Sequence, residues 1–289
     1  MNVKVKNEVP AGIVWLASYP KSGNTWVRNF LNNLLAVQQH GLSVEASSIN
    51  SMNKLTSWDI ASRPFEEVLG KKIAEATPKE IAAARLIVQK NISNESDGIM
   101  LVKTHNALVL DHGYPTINMS VTSGVIYIVR NPLDVAISFG HHIGKDTDTA
   151  IISMCRSGHT TKVFKNAAHE IYGSWSEHVS SWTRKPNPSL YIMRYEDMHS
   201  APEKTFGALA KHMKMNPSNE QLQKAIELSS FENLKQQEEK EGFKEKPKAA
   251  ESFFRKGEAD QWKKELTQAQ IGKITQVHGT QMRRFGYIE

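Results

Sequence analysis

The sequence predicts an α/β fold: a single domain with a central, mostly parallel sheet flanked by helices. Short apolar runs typical of buried strands recur along the chain, and stretches with helical spacing separate them. The first run leads through a glycine-containing loop into an amphipathic helix, which is the opening unit of α/β folds of the P-loop type. Composition shows no break along the 289 residues, and a hydrophobic content of 39% suffices for one large core, so we expect residues 1–289 to form one domain.

The chain opens on a strand and a helix. Residues 12–17, GIVWLA, are short, apolar and partly β-branched, which predicts a buried strand. Apolar residues at helical spacing predict a helix from Thr25 to about Val37. Its apolar face consists of Trp26, Val27, Phe30, Leu31, Leu34 and Leu35. The loop at residues 18–25 therefore joins the carboxyl end of a strand to the N-terminus of a helix.

Three further strands are predicted at residues 98–105, 124–129 and 189–197. Because helical stretches separate all four strands, we expect them to be buried and parallel. After the third strand, Asn131 suits a helix cap and Pro132 suits the first helical position.

Other helix starts follow the capping-box pattern, in which Glu or Gln follows Ser or Thr by three residues. The pattern occurs at residues 77–80, 200–203, 218–221 and 267–270. Residues 235–250 are polar and charged with almost no apolar anchor, which predicts a surface segment.

The loop at residues 18–25 has the composition of an anion-binding site. Backbone N–H groups at a helix N-terminus converge on one point, where the helix dipole adds partial positive charge. Lys21 would bring nothing to an ordinary turn, and Ser22, Asn24 and Thr25 add short hydroxyl and amide donors. The loop is not a Walker A motif, because its lysine precedes the glycine by two residues instead of standing just before the helix.

The residue after the third predicted strand indicates a second anion site. Kinases and ATPases of the P-loop class usually have an aspartate there to hold Mg²⁺, whereas the strand at 124–129 ends in Arg130. Open α/β sheets bind ligands at the carboxyl ends of their strands, so Arg130 suits a further phosphate. The adjacent His141 and His142 do not indicate a metal site, because no further ligands stand at a typical spacing. We therefore expect a nucleotide with more than one phosphate site and no metal ion.

Six segments carry a family resemblance, and they occur in family order. SYPKSGNTW (18–26) resembles the 5′-phosphosulfate loop of the cytosolic-type sulfotransferases, and YIVRNPLDVAISF (127–139) resembles their 3′-phosphate segment. The other four are KTH at 103–105, RYEDM at 194–198, SSFENLK at 229–235 and FRKGEADQWKKELT at 254–267. One such motif is weak, but six in order span nearly the whole chain.

The resemblance implies transfer of a sulfuryl group from 3′-phosphoadenosine 5′-phosphosulfate (PAPS), which leaves adenosine 3′,5′-bisphosphate (PAP), to a hydroxyl or amine of a small-molecule acceptor. It implies donor-binding roles, with Lys21 and the loop at the 5′ side, Trp26 at adenine and Arg130 at the 3′-phosphate. The full implied set is Lys21, Ser22, Gly23, Asn24, Thr25, Trp26, Arg130, Ser138, Tyr195, Ser229, Phe231, Arg255, Lys256 and Gly257. The implied catalytic residues are Lys21, Lys103, His105 and Ser138, and no metal is required.

These implied roles fit the chemistry of the reaction. The acceptor hydroxyl must lose a proton as its oxygen attacks sulfur, and a histidine with a pKa near neutral, here His105, is suited to take it. The ammonium of Lys103 can stabilise negative charge on the leaving oxygen. Ser138 would lie about 9 Å along a helix that starts at Pro132, so its role at the phosphate held by Arg130 rests on the resemblance and not on spacing.

The sequence departs from the family pattern in three places. Asn24 replaces a threonine of the loop, and we expect little loss because asparagine still offers a donor. Asp260-Gln261 stands where the family has Gly-Asp, and the loss of glycine predicts a loop of different shape. Of the short dimer motif, Lys263 and Thr267 match but two other positions differ, which predicts a monomer or a weak homodimer.

Charge and cysteine content bear on partners and location. The chain has 36 Lys+Arg against 30 Asp+Glu, a formal charge of +6, which favours anionic partners without choosing among nucleotides, nucleic acid and acidic lipid. We expect a small-molecule acceptor and no nucleic acid. The single cysteine, Cys155, fits a reducing compartment, and neither a signal peptide nor an apolar run of about 20 residues is present. We therefore expect a cytoplasmic protein that spans no membrane.

The acceptor and two alternative functions stay open at this point. The acceptor pocket is expected from residues 42–76 and 139–165, and residues 235–250 are expected to close over bound nucleotide. The candidate lining residues, which can equally belong to the core, are Trp58, Phe65, Phe139, His141 and His142. The alternatives to a sulfotransferase are a P-loop phosphotransferase, which would turn over ATP with Mg²⁺, and a non-catalytic nucleotide- or nucleic-acid-binding module.

Overall fold

The computed structural model describes residues 12–289, apart from the side chains of residues 53 and 54. Its strands are β1 (Gly12–Ser18), β2 (Thr56–Trp58), β3 (Ile99–Thr104), β4 (Leu110–Asp111), β5 (Tyr114–Pro115), β6 (Thr122–Val129) and β7 (Leu190–Arg194). Five of them form one parallel sheet in the order β2-β3-β1-β6-β7, and β4 pairs with β5 in a separate antiparallel hairpin.

Within residues 12–289, twelve α-helices connect the strands or follow them. They are α1 (Asn24–His40), α2 (Ser62–Leu69), α3 (Pro78–Ser93), α4 (Pro132–Ile143), α5 (Thr147–Cys155), α6 (Trp175–Thr183), α7 (Tyr195–Ser200), α8 (Pro202–His212), α9 (Asn219–Leu228), α10 (Phe231–Glu241), α11 (Trp262–Glu265) and α12 (Gln268–Arg284). Every helix in this range is too short or too polar to span a bilayer.

Alternation along β1 divides the core into two layers. Ile13, Trp15 and Ala17 contribute to one layer, in which α3, α4, α6 and α12 pack on the sheet, whereas Val14 and Leu16 face α1, α8 and α9 on the other side. Both faces of the sheet are therefore covered by helices, as is usual for a parallel sheet. The single α/β domain with a central parallel sheet, predicted from the apolar runs, is confirmed.

All four predicted strands are present, with one boundary wrong; one strand of the five-stranded sheet was missed, as were the two-residue strands β4 and β5 of the hairpin. The segment at 189–197 was predicted as a strand throughout, but β7 ends at Arg194 and α7 begins at Tyr195. The reason is that Tyr195 and Met198 are spaced by one helical turn and both are buried. The missed strand, β2, has three residues at the sheet edge and is too short to give a periodic signal.

Three of the four predicted capping boxes are confirmed, and so is the predicted cap at Asn131. The confirmed boxes begin at Thr77, Ser218 and Thr267. The prediction at 200–203 is wrong, because Ser200 is the last residue of α7. The next helix begins at Pro202 behind Ala201, and no side chain caps it.

The polar segment at 235–250 contains more regular structure than its composition predicts. Its first part belongs to α10, and Phe243, only 7% exposed, is the apolar anchor of a segment that was expected to have almost none. The carboxylate of Glu238 accepts hydrogen bonds from the backbone N–H groups of Phe253 and Phe254 at 2.7 and 2.8 Å. These bonds tie α10 to the segment that carries the C-terminal basic motif.

The sheet order creates a crevice at the end of β1. This strand lies between β3 and β6. After β1 the chain continues on one side of it, to β2 and β3, and then crosses to the other side, to β6 and β7. Such a switch point is where open α/β sheets bind ligands, beyond the carboxyl ends of the strands. The residues that follow the three central strands include Lys21, His105 and Arg130.

Candidate active site

A cavity of about 770 Å³ opens at the carboxyl ends of β1, β3 and β6. Most of the predicted site residues line it, namely Lys21, Gly23, Asn24, Thr25, Trp26, Lys103, His105, Arg130, Ser138, Tyr195, Phe231, Arg255, Lys256 and Gly257. Ser22 and Ser229 are buried and are not among the lining residues; the hydroxyl of Ser229 donates to the Ala225 carbonyl at 2.7 Å. The roles of these two serines stay predictions.

The loop after β1 has a backbone conformation that only certain residues tolerate. Gly23 has a φ of 104°, and a Cβ there would lie 2.7 Å from the Tyr195 ring and 2.8 Å from the Met198 side chain. Lys21 has a φ of 66°, which is sparsely populated for residues other than glycine. The fold thus maintains a tight turn that brings the loop backbone against α7.

Asn24 braces this loop against the strand that precedes it. Its Nδ2 donates to the Leu16 carbonyl at 2.9 Å and to the Ser18 hydroxyl at 3.4 Å. Both hydrogens of the side-chain amide are thereby engaged, so any contact of Asn24 with a phosphate falls to its backbone N–H and stays a prediction.

The Lys21 ammonium lies in a buried, positively charged environment. Its Nζ is 3.9 Å from the centre of the Phe253 ring. Burial, together with the nearby cations Arg130 and Lys103, lowers the pKa of Lys21 to about 7. A bound anion would reverse this effect by favouring the charged ammonium, so the site has an unmet electrostatic demand for negative charge.

Arg130 is held by three segments of the chain. Its Nη1 donates to the Lys21 carbonyl at 3.0 Å and its Nη2 to the Glu258 carbonyl at 3.2 Å, while the guanidinium lies 4.0 Å from the centre of the Tyr195 ring. Ser138, which lies on α4 eight residues after Arg130, lines the same cavity. Arg130 and Ser138 therefore line one cavity, which spacing alone did not predict.

The C-terminal basic segment reaches the cavity from the opposite end of the chain. Arg255 donates to Gln261 at 2.6 Å, and Lys256 forms an ion pair of 2.6 Å with Glu265. These two side chains line the cavity together with Gly257. Gln261 and Glu265, which belong to the same segment, thus orient the Arg255 and Lys256 side chains.

The Asp260-Gln261 departure is accommodated by local hydrogen bonds. Asp260 has a φ of 64°, the left-handed region that favours glycine but that aspartate also tolerates. Its N–H donates to Asp134 at 2.8 Å, and its carboxylate accepts from Trp262 and Lys263. Aspartate therefore adopts a glycine-type conformation here, and the predicted difference in loop shape from the family stays a prediction.

Buried polar atoms without partners indicate where an anionic ligand fits. Nε of Arg130 and Oγ of Ser22 are buried and lack a hydrogen-bond partner among the described residues. Such groups cost free energy unless a ligand or water satisfies them. With the surrounding lysines and arginines, they fit a nucleotide phosphorylated at two positions. Among residues 12–289, no group of three or more His, Cys, Asp or Glu side chains could hold a metal ion.

His105 is held as a neutral imidazole with a defined tautomer. Its Nδ1 lies 2.7 Å from the Ser18 carbonyl, which can only accept, so Nδ1 carries the proton and Nε2 has the free lone pair. Burial, and then the charge of Lys103, lowers the pKa of His105 well below its usual value. His178 donates from Nε2 to the His105 carbonyl at 3.1 Å and supports this backbone. The geometry provides a proton acceptor inside the cavity.

Sequence reasoning missed an ion-pair cluster in the lining of the cavity. Glu245 pairs with Lys103 at 3.2 Å and with Arg28, which is 1% exposed, at 2.8 Å. Burial alone would raise the pKa of Glu245, but Lys103 and Arg28 hold it below its usual value. Local sequence gives no signal for this cluster, because Arg28 and Glu245 are 217 residues apart.

The remaining wall of the cavity contains aromatic and acidic residues. Trp58 and His142, two of the five lining candidates named from the sequence, line the cavity. Glu170 and Tyr172 also line it and were not predicted. The other three candidates do not line it: Phe65 and Phe139 are buried in the core, and His141 is exposed. The wall lies beside Lys103, whose Nζ is 5.4 Å from the centre of the Trp58 ring.

The fold and the site define a nucleotide-binding transferase of the P-loop class. The features that define it are the parallel sheet, the loop after β1, the two groups of cations and the neutral imidazole of His105. A model of the sulfotransferase domain matches residues 12–286, which is nearly the whole chain. The chain therefore belongs to the sulfotransferase family, as the six segments predicted.

Relatives and solved structures agree with this assignment. The chain is 28% identical to sulfotransferase 1B1 of Canis lupus familiaris and 26% identical to cytosolic sulfotransferase 1 of Danio rerio; each match covers 97% of this chain and 86% of the relative. A mouse sulfotransferase complexed with PAP is similar in fold, with a TM-score of 0.61 and 18% identity over 94% of this chain and 85% of that one. Retinol dehydratase complexed with androsterone and PAP gives a TM-score of 0.62 and 18% identity over 94% and 81%.

The protein is thus a PAPS-dependent sulfotransferase. The predicted donor and the predicted reaction class are confirmed, and the phosphotransferase and non-catalytic alternatives are set aside.

Proposed function

We propose that this protein transfers a sulfuryl group from PAPS to the hydroxyl, or amine, of a small-molecule acceptor, with His105 as general base. The observation that carries the proposal is the fixed tautomer of His105 in the cavity that Lys21 and Lys103 also line. PAPS supplies the activated sulfuryl group when it is bound.

His105 takes the acceptor proton at Nε2. The acceptor oxygen forms its bond to sulfur while the bond from sulfur to the bridging phosphate oxygen breaks, and the proton goes to the imidazole. The Nδ1 hydrogen bond to Ser18 holds the ring in position and stabilises the imidazolium that forms. The lowered pKa of His105 keeps the base unprotonated at neutral pH.

Lys21 and Lys103 stabilise negative charge on the leaving side. Preorganised cations in a water-excluded cavity act more strongly than they would in bulk solvent. Lys21 and the loop amides bind the 5′ side, Trp26 packs on adenine, and Tyr195 and Phe231 border the nucleotide. The 3′-phosphate is bound by Arg130, Ser138, Arg255, Lys256 and Gly257, and Ser22 and Ser229 support the site from beneath.

The experiment that tests the function is a transfer screen with radiolabelled PAPS over phenols, alcohols, amines and peptides. Labelled product is expected with at least one small-molecule class, and a His105→Ala control should lose it while still binding PAP. Product formation by the His105→Ala variant at the wild-type rate would contradict the proposed base.

Replacing Gly257 with alanine is expected to weaken PAP binding about tenfold, because an alanine Cβ would lie 2.1 Å from the Phe231 ring. The φ of 64° also costs an alanine about 1–2 kcal/mol of stability. Calorimetric titration with PAP and thermal unfolding measure both effects. The matched control is Gly272→Ala on α12, where nothing lies within 4 Å and unchanged PAP affinity is expected. Wild-type PAP affinity in the Gly257 variant would contradict the assigned contact.

Residues 235–250 are part of the same proposal, as a segment that closes over bound nucleotide. Lys244, Glu245 and Pro247 line the cavity, and the ion pair between Glu245 and Lys103 lies across it. PAP is expected to slow hydrogen exchange in residues 242–250 and to leave α12 unchanged. Equal protection of this segment with and without PAP would refute closure.

The expected partners and location complete the proposal. We expect a monomer or weak homodimer, because Lys263 of the half-kept dimer motif is paired with Asp260 at 2.7 Å and Thr267 caps α12. A cytoplasmic location is supported by the single cysteine and by a relative that carries the name cytosolic sulfotransferase. We expect no nucleic-acid partner.

A further inference from the structure

A buried carboxyl group lies in the wall of the cavity and is not fully hydrogen bonded. Glu170 is 5% exposed and is one of the lining residues. The Tyr172 hydroxyl donates to its Oε2 at 2.9 Å, whereas its Oε1 is buried with no hydrogen-bond partner among the described residues. A buried acceptor of this kind is costly unless a ligand donor satisfies it.

The charges around Glu170 favour an additional cation. The guanidinium of Arg85, fully buried, interacts with the carboxyl groups of Asp59, Asp111 and Glu170, so acidic groups outnumber it three to one. Lys103 also acts on Glu170, but its ammonium is already paired with Glu245 at 3.2 Å. Burial, and then the charge of Asp59, raises the pKa of Glu170 to about 7, so the charged carboxylate is disfavoured unless a positive charge lies beside it.

Tyr172 links this carboxyl group to the base. Its ring centre is 6.4 Å from that of His105, in an edge-to-face arrangement, and its hydroxyl reaches Glu170. Glu170 and His105 are therefore separated by about the span of one aromatic side chain. A ligand with a hydroxyl at His105 and a donor at Glu170 needs a spacer of similar size.

We infer that Glu170 selects acceptors that carry a protonated amino group in addition to the hydroxyl that is sulfated. The amino group donates to Oε1 of Glu170, while the hydroxyl faces Nε2 of His105. The ligand class is an aminoalkyl phenol or an amino alcohol of comparable length. This inference rests on the proposed function, since it assumes that His105 marks the position of the reacting hydroxyl.

The test compares two probes that differ only by the amino group, 4-(2-aminoethyl)phenol and 4-ethylphenol. Binding of each to the wild-type complex with PAP is measured by calorimetry, and kcat/KM is measured with PAPS. The wild type is expected to bind and convert the amine at least about tenfold better than the uncharged phenol. Glu170→Gln is expected to remove this preference by weakening the amine about tenfold, with 4-ethylphenol changed less than about twofold.

The matched control is Glu75→Gln, which removes an exposed carboxylate away from the cavity and is expected to alter the preference by less than about twofold. PAP affinity of each variant reports whether the donor site remains intact. Equal wild-type binding of the two phenols, binding of neither, or an equal loss for both in Glu170→Gln would overturn the inference. Conversion of 4-ethylphenol without amine preference refutes the inference and leaves the proposed function standing. Tight binding of the amine without sulfated product from any acceptor refutes the proposed function instead.

Discussion

Replacing His105 with glutamine is expected to lower kcat by about 10²–10⁴-fold, the usual contribution of a general base. Glutamine can still donate to the Ser18 carbonyl, which His105 contacts at 2.7 Å, and it fills much of the same volume. It cannot accept the proton of the acceptor hydroxyl at neutral pH. The affinity for PAP should therefore stay within about twofold of the wild type while turnover falls, which single-turnover kinetics and calorimetry measure separately.

The control for this variant is His40→Gln, which makes the same change at the exposed C-terminus of α1 and should leave kcat unchanged. The pH profile gives a second check. Since only the neutral imidazole acts as base and the pKa of His105 lies well below 6.5, the acid limb attributed to it should appear well below pH 6.5. A loss of kcat under tenfold in the glutamine variant, or a parallel loss of PAP affinity, would assign His105 a structural role instead.

The fold was largely predictable because its central strands are long, apolar and bounded by turn residues. The runs at β1 and β6 are buried on both faces, so their hydrophobic continuity is visible without tertiary information. The three-residue β2 is defined only by its pairing with β3, to which no local pattern points. The extension of β7 past Arg194 failed because the residues that follow are buried as a helical pair, and strand and helix are hard to separate in so short a segment.

The site residues that stand in short sequence motifs could be predicted. Those that act through contacts between residues far apart in the sequence could not. Lys21 and Arg130 follow apolar strands directly, so a parallel sheet must bring them to one edge. Glu245 reaches Lys103 and Arg28 only because the segment after α10 folds back over the cavity. Nothing in the local composition of such a segment specifies which buried cation it contacts.

The affinity of the wild-type protein for PAP is expected to fall as pH rises from 7 to 9, by up to about tenfold per pH unit, because of Lys21. The pKa of Lys21 is lowered to about 7, so above pH 7 the free protein holds mostly a neutral amine there. Bound phosphate favours the ammonium, so binding must take up a proton, and this costs more free energy as pH rises. The second ionisation of a phosphate lies near pH 6, so the ligand charge is constant over this range.

Lys21→Met isolates this effect, because it keeps an unbranched side chain that is only one heavy atom shorter and removes the titrating ammonium. At pH 7 the variant should bind PAP about 10–100-fold more weakly, the value of a hydrogen bond to a charged group, and its affinity should depend less on pH. The other groups that act on Lys21, namely Arg130, Lys103 and Glu238, are the same in both proteins, so the difference between the two pH profiles belongs to Lys21. Dissociation constants for PAP, measured by calorimetry at pH 7, 8 and 9, should therefore become more alike between the wild type and Lys21→Met as pH rises. Parallel profiles would mean that the Lys21 ammonium does not contact the nucleotide, and the lowered pKa would then reflect burial alone.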